Sequence, residues 1–129
     1  MTFAQKFATG FGGVYVLIGI LGFIEFFGGT IDQEPNQLLG IFGITAVHNV
    51  VHLLIGVAFL AAARTHSASV MASLVIGATY VLVGIIGLLN IQFVNDLLAI
   101  NAPDNALHFV SGLAALGVGL AGRRTSVNA

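Results

Sequence analysis

"GGVYVLIGILGFI", residues 12–24, returns 65 residues later as "GATYVLVGIIGLL" at 77–89. Gly12, Tyr15, Gly19 and Gly22 fall on Gly77, Tyr80, Gly84 and Gly87. Each copy lies within an apolar run long enough for the helix of about 20 residues that a bilayer core demands. A second pair of apolar runs, related by a shift of 56, places Thr45 on Asn101, His48 on Asp104, Asn49 on Asn105, His52 on His108 and Gly56 on Gly112. The chain therefore reads as an all-α membrane protein with four transmembrane helices in two duplicated helical hairpins. The expected spans are Phe7 to Phe27, Thr45 to Ala63, Ala68 to Leu89 and Asn101 to Ala121. Repeat 1 covers about 7–64 and repeat 2 about 68–122 of a single domain, residues 1–129. Because each copy holds two spans, both enter the membrane in the same direction. Their relating axis then runs along the membrane normal.

Composition supports the same class. Of 129 residues, 57% are hydrophobic and 7% charged, with a mean hydropathy of +1.02; a soluble domain carries about 25% charged residues. The absence of cysteine excludes disulfides, thiolate metal sites and iron–sulfur ligation. No basic cluster is present to engage nucleic acid. The first apolar run is too long for a signal peptide and lacks a small-residue cleavage pattern after it. Lys6, Arg64, Arg123 and Arg124 fall at the N-terminus, the second connector and the C-terminus, all on one side of the membrane for an even number of spans. Glu25, Asp32, Glu34, Asp96 and Asp104 fall on the other. The positive-inside rule then makes both termini cytoplasmic and turns the first and third connectors outward. Within those connectors, "LLGIFGI" (38–44) and "NDLLAI" (95–100) are expected to form short amphipathic segments at the outer interface.

Small residues in lipid mark places where backbones approach closely. Ala8 with Gly12 and Ser73 with Gly77 occupy equivalent points of the first and third spans, which are expected to pack together near the pseudo-axis. The same stripes could serve a homo-oligomer. Tyr15 and Tyr80, near mid-membrane, each need a partner for the hydroxyl, most simply a carbonyl or polar side chain on a neighbouring helix.

The second and fourth spans open on polar residues. Thr45 and Asn101 are suitable N-caps, and Asp104, three residues beyond the second cap, suits the positive end of a helix. Pro103 falls in the first turn, where its missing N–H costs nothing. His48 stands at the equivalent position and is expected neutral there. His52 and His108 lie seven residues past their caps, about 10 Å along the helix, where polar side chains face the bundle interior. Turned toward one another, these faces gather His48, Asn49, His52, Asp104, Asn105 and His108 into one cluster, which Glu25 could join. The plain expectation is a buried polar network that locks the helices together. Three other uses fit the residue types: a Zn²⁺ or Cu²⁺ site on His48, His52, Asp104 and His108, one haem held axially by His52 and His108, and small-solute or proton handling. No ionisable residue lies between these histidines and Arg64 to complete a proton path. His66 reads as a solvated residue of the basic turn.

A "YVLxGIxG" span, an "LLGIF" connector and the segment "HNVVHLLIGVAFLAAAR" (48–64), repeated more weakly with "DNxxH", resemble the bacterial four-span membrane proteins grouped as domain of unknown function 4383. The resemblance extends over nearly the whole chain and implies the fold but no reaction. The second outer connector lacks the "LLG" form of the first, so the outer segments are not expected to be strictly symmetric. These readings together predict a non-enzymatic, multi-pass protein of the bacterial cytoplasmic membrane, with no catalytic residue and no assigned cofactor. Its expected partners are membrane lipid and a homo-oligomer or larger membrane complex. The alternative is a metal- or haem-binding membrane protein, or a small transporter.

Overall fold

The computed structural model describes residues 1–28 and 37–127. It contains α1 (Phe3–Gly28), β1 (Gln37–Leu38), β2 (Phe42–Gly43), α2 (Ala46–Ala62), α3 (His66–Leu88), α4 (Gln92–Leu98) and α5 (Ala102–Val127). Three of these helices, α1, α3 and α5, are long and apolar enough to cross a membrane, and α2 is a shorter apolar helix of 17 residues. At 1.5 Å per residue, α2 is about 26 Å long, against a hydrocarbon core of about 30 Å. Asp32 and Glu34 lie outside the described residues.

The helix starts follow from their caps. Thr45 takes an extended conformation and accepts the His48 N–H, and Thr65 does the same for Ala68. At α5 the arrangement is reciprocal: Asn101 Oδ1 accepts the Asp104 N–H at 3.0 Å, and Asp104 Oδ2 accepts the Asn101 N–H at 3.1 Å. Both exchanges satisfy donors that a helix N-terminus leaves without an intrahelical partner.

Packing is closest within two pairs, α1 with α2 and α3 with α5. Looser contacts join α1 to α3, α2 to α3 and α1 to α5, so α2 and α5 sit across the long diagonal of the group. Glycine sets the two close pairs. A methyl built on Gly12 would stand 2.8 Å from the Gly56 carbonyl oxygen, and one on Gly77 would stand 2.9 Å from the Gly112 carbonyl oxygen. The small residues therefore do not join α1 to α3, as their stripes suggested. A small residue marks a close approach without naming the partner, and the neighbouring helix of each pair supplies the matching glycine. Aromatic rings make the α1–α3 contact instead: the Tyr80 ring centre lies 5.5 Å from that of Tyr15 and 6.5 Å from that of Phe11.

The distribution of side chains differs from that of a water-soluble bundle, because polar residues share the interior while large apolar ones face outward. The fully buried side chains include Asn49, Ser69 and Ser73, whereas Leu17, Leu54, Val57, Leu82 and Val110 are more than half exposed. Burying polar groups while presenting large apolar ones outward is costly in water and suits a hydrocarbon solvent.

Two caps close the ends of the group. At one end, His66 makes hydrogen bonds from its ring nitrogens to Thr2 Oγ1 (2.9 Å) and the Gly122 carbonyl (3.3 Å), while Gln5 donates to the Ala63 carbonyl. His66 is thus a structural tie between the N-terminus, α3 and α5, not the solvated turn residue its basic surroundings implied. At the other end, the "LLGIFGI" segment forms an antiparallel hairpin in place of the expected amphipathic segment. Leu39 and Gly40 take positive φ at its turn, and Leu38 and Ile44 point inward and are buried. Its backbone polar groups need partners, and pairing two short strands provides them. The "NDLLAI" segment falls mainly in the helix α4, which has no buried residue.

Candidate functional site

The hairpin and α4 sit over the N-terminal ends of α2 and α5 and are fastened there by polar side chains. Asp104 Oδ2 accepts the Gly43 N–H at 3.0 Å in addition to the Asn101 N–H. Thr45 Oγ1 donates to the Leu97 carbonyl at 2.8 Å, and Asn101 Nδ2 donates to the Ile41 carbonyl at 2.8 Å. The residues that start α2 and α5 thus also hold the connectors. Gly43 has no room for a side chain, because a methyl there would run into the Ala99 carbonyl.

Beneath this cover lie three histidines. His48 and His52, four residues apart, share one face of α2, with ring centres 4.4 Å apart. His108 reaches from α5 across the diagonal to a ring-centre distance of 6.1 Å from His48. One ring nitrogen from each of the three lies within 4.8 Å of the others. All three are buried, with exposures of 2%, 7% and 4% for His48, His52 and His108. The two tyrosines form the floor. Tyr15 meets His52 edge-on at 5.2 Å, and Tyr80 stacks on His108 at 5.3 Å.

Hydrogen bonding within this group is sparse. His48 Nδ1 pairs with the Gly43 carbonyl at 3.1 Å. That carbonyl can only accept, so Nδ1 carries the proton and Nε2 presents its lone pair to the interior. Among the described residues, His48 Nε2, His52 Nδ1 and His108 Nδ1 have no hydrogen-bond partner. A cavity of about 120 Å³ adjoins the group, bounded by Ile18 of α1, Leu38 and Phe42 of the hairpin, and His48, His52 and Asp104.

The remaining polar residues of this end are arranged differently. Asn49 is fully buried, and its side-chain oxygen lies against the backbone of Gly22, where the glycine Cα–H points; Asn105 does the same against Gly87. Such Cα–H to oxygen contacts are weak, and neither side-chain oxygen has a conventional donor among the described residues. The glycines of the tyrosine motif therefore act partly as seats for these two asparagines. Asp104 lies on the wall of the same cavity as His48 and His52, with its carboxylate engaged by the hairpin and its own cap. Glu25, near the end of α1, is half-buried and forms no ion pair or hydrogen bond among the described residues. The structure therefore brings together His48, His52 and His108, sets Asp104 beside them, and leaves Glu25 apart. Sequence spacing gave no sign of the Gly43 carbonyl as orienting group for His48, because a backbone acceptor in a connector leaves no mark on residue identity.

The family whose model is described as "Domain of unknown function (DUF4383)" matches residues 5–121. No curated protein and no solved structure matches the chain.

Proposed function

Since the chain belongs to the DUF4383 family, we propose that it is a non-enzymatic, multi-pass protein of the bacterial cytoplasmic membrane. It crosses the bilayer four times as a duplicated pair of hairpins, with both termini inside, and serves as an accessory or structural component of the membrane or of a complex within it. The observation that carries this reading is the side-chain distribution: a mixed interior, with Asn49, Ser69 and Ser73 buried beside Phe59 and the two tyrosines, enclosed by helices whose outward faces are leucine, valine and isoleucine. The short α2 is counted as a span because it lies along the length of α1 and is apolar outward at Val50, Leu54 and Val57. Local thinning of the bilayer accommodates a helix a few ångströms short, at a modest cost.

Sidedness follows from charge. Lys6, Arg64, Arg123 and Arg124 lie toward the end tied by His66, whereas Asp96 and Asp104 lie toward the hairpin end. The chain contains no cysteine, so single cysteines report without background. Asp96→Cys should react with an impermeant maleimide added to intact cells, and Thr65→Cys should react only after lysis. Labelling of Thr65→Cys in intact cells, with Asp96→Cys protected, would reverse the orientation. Labelling of both from outside would leave an even number of crossings between them and remove α3 as a span.

A further inference from the structure

We propose that His48, His52 and His108 bind one late first-row transition-metal ion, Zn²⁺ or Cu⁺, through three neutral imidazoles. This goes beyond the membrane reading and does not depend on it. A polar nitrogen removed from solvent without a partner is unfavourable, and buried polar groups in folded proteins are overwhelmingly satisfied. Here three such nitrogens belong to one group: His48 Nε2, His52 Nδ1 and His108 Nδ1. Had the histidines served only to lock helices together, hydrogen bonds among them or to their neighbours would be expected. The His48 ring meets two backbone carbonyls, those of Gly43 and Leu98, whereas no hydrogen bond joins the His52 and His108 rings to the described residues.

The geometry suits a shared ligand. Ring nitrogens bound to a tetrahedral ion at roughly 2.0–2.1 Å stand about 3.4 Å apart. The three rings already offer nitrogens within 4.8 Å of one another, from two turns of α2 and from α5 opposite. Binding an ion would draw the rings together by that difference. His48 also has the orienting bond that metal-ligating histidines need, an Nδ1–H donated to a backbone carbonyl, which fixes the tautomer and aims Nε2 inward. Cysteine is absent from the chain. An imidazole-only donor set favours zinc and copper over the hard, oxygen-seeking cations.

Charge fits as well. A cation among neutral ligands in a low-dielectric interior needs a counter-charge nearby, and Asp104 shares the cavity wall with His48 and His52. A cavity of about 120 Å³ with almost wholly apolar walls lies beside His48 and His52. The hairpin forms part of that wall.

The test uses the full chain purified in mild detergent and stripped with chelator. Zn²⁺ and Cu⁺ are titrated separately against competing chromophoric chelators, and bound metal is counted by elemental analysis. The parent should bind one equivalent of one or both ions, and the ion bound more tightly identifies the metal. His52→Ala and His108→Ala should each weaken binding by about a hundredfold or more, beyond the 10–100-fold effect of losing an orienting group. His66→Ala should leave it unchanged. X-ray absorption of the loaded parent should show three imidazole ligands, a readout that requires no variant to fold. Absence of stoichiometric binding, binding that survives in both histidine variants, or an absorption spectrum without imidazole scattering would each overturn the proposal.

Discussion

Adding a single methyl group at Gly12 tests how the helices pack, because the contact it meets is backbone. The methyl of Gly12→Ala would lie 2.8 Å from the Gly56 carbonyl oxygen and 2.9 Å from the Leu60 amide nitrogen. Comfortable carbon–oxygen contacts begin near about 3.3 Å. Helix α1 must therefore move away from α2 by roughly half an ångström, because neither backbone atom can swing aside. Overpacking of this kind costs about 1–3 kcal/mol, offset by up to about 1 kcal/mol for replacing glycine with alanine within a helix. A net loss of about 0.5–2 kcal/mol is expected. Gly56→Ala should cost more, since its methyl would stand 2.6 Å from the Val16 amide nitrogen. Gly10, Gly13 and Gly117 have nothing within 4 Å of the added methyl, so their alanine variants should be neutral or slightly stabilised. Unfolding by sodium dodecyl sulfate in mixed micelles, followed by far-ultraviolet circular dichroism, compares the five variants. If Gly12→Ala and Gly56→Ala unfold with Gly10→Ala, these glycines do not face a partner helix and the pairing of α1 with α2 is wrong.

Two further outcomes concern the ends of the bundle. Asp104→Ala removes the acceptor for both the Gly43 and Asn101 amides; it should lower stability by about 1–3 kcal/mol and speed hydrogen exchange at Gly43, and unchanged exchange there would show that Asp104 does not hold the hairpin. His66→Ala releases Thr2 and the Gly122 carbonyl; a loss of about 0.5–2 kcal/mol is expected, and unchanged unfolding together with unchanged exchange in the first turn of α1 would refute its role as a tie.

The repeated glycine–tyrosine motif was sufficient to locate α1 and α3, because hydrocarbon solvent writes directly into composition. The ends of α2 and α5 were also legible, since Thr45, Asn101 and Asp104 act through local bonds three residues apart. Which helices the glycines would join was not legible: Gly12 and Gly77 look alike whether they face a hairpin neighbour or a pseudo-symmetric mate. The β-hairpin over the histidines was hidden for a different reason. Residues 37–43 are too few to show a two-residue period, and the hairpin turn includes a leucine at φ 56°, a conformation uncommon for that residue type. The approach of His48, His52 and His108 was visible as a repeated spacing. Their scarcity of hydrogen bonds depends on where each ring nitrogen points, which only three dimensions reveal.

The claim on which the rest depends is that the leucine- and valine-rich faces lie in lipid. Nitroxide labels on single cysteines at Leu54, Val57, Leu82 and Val110, with the protein reconstituted in liposomes, measure this through collision with dissolved oxygen and with a water-soluble nickel chelate. All four residues are strongly exposed on the molecular surface, so their labels should collide freely with oxygen and hardly with nickel, whereas a label at Asp96 should show the reverse. Strong nickel broadening at Leu54 and Val57 would remove α2 from the bilayer, and the same result at Leu82 and Val110 would contradict the membrane-spanning account as a whole.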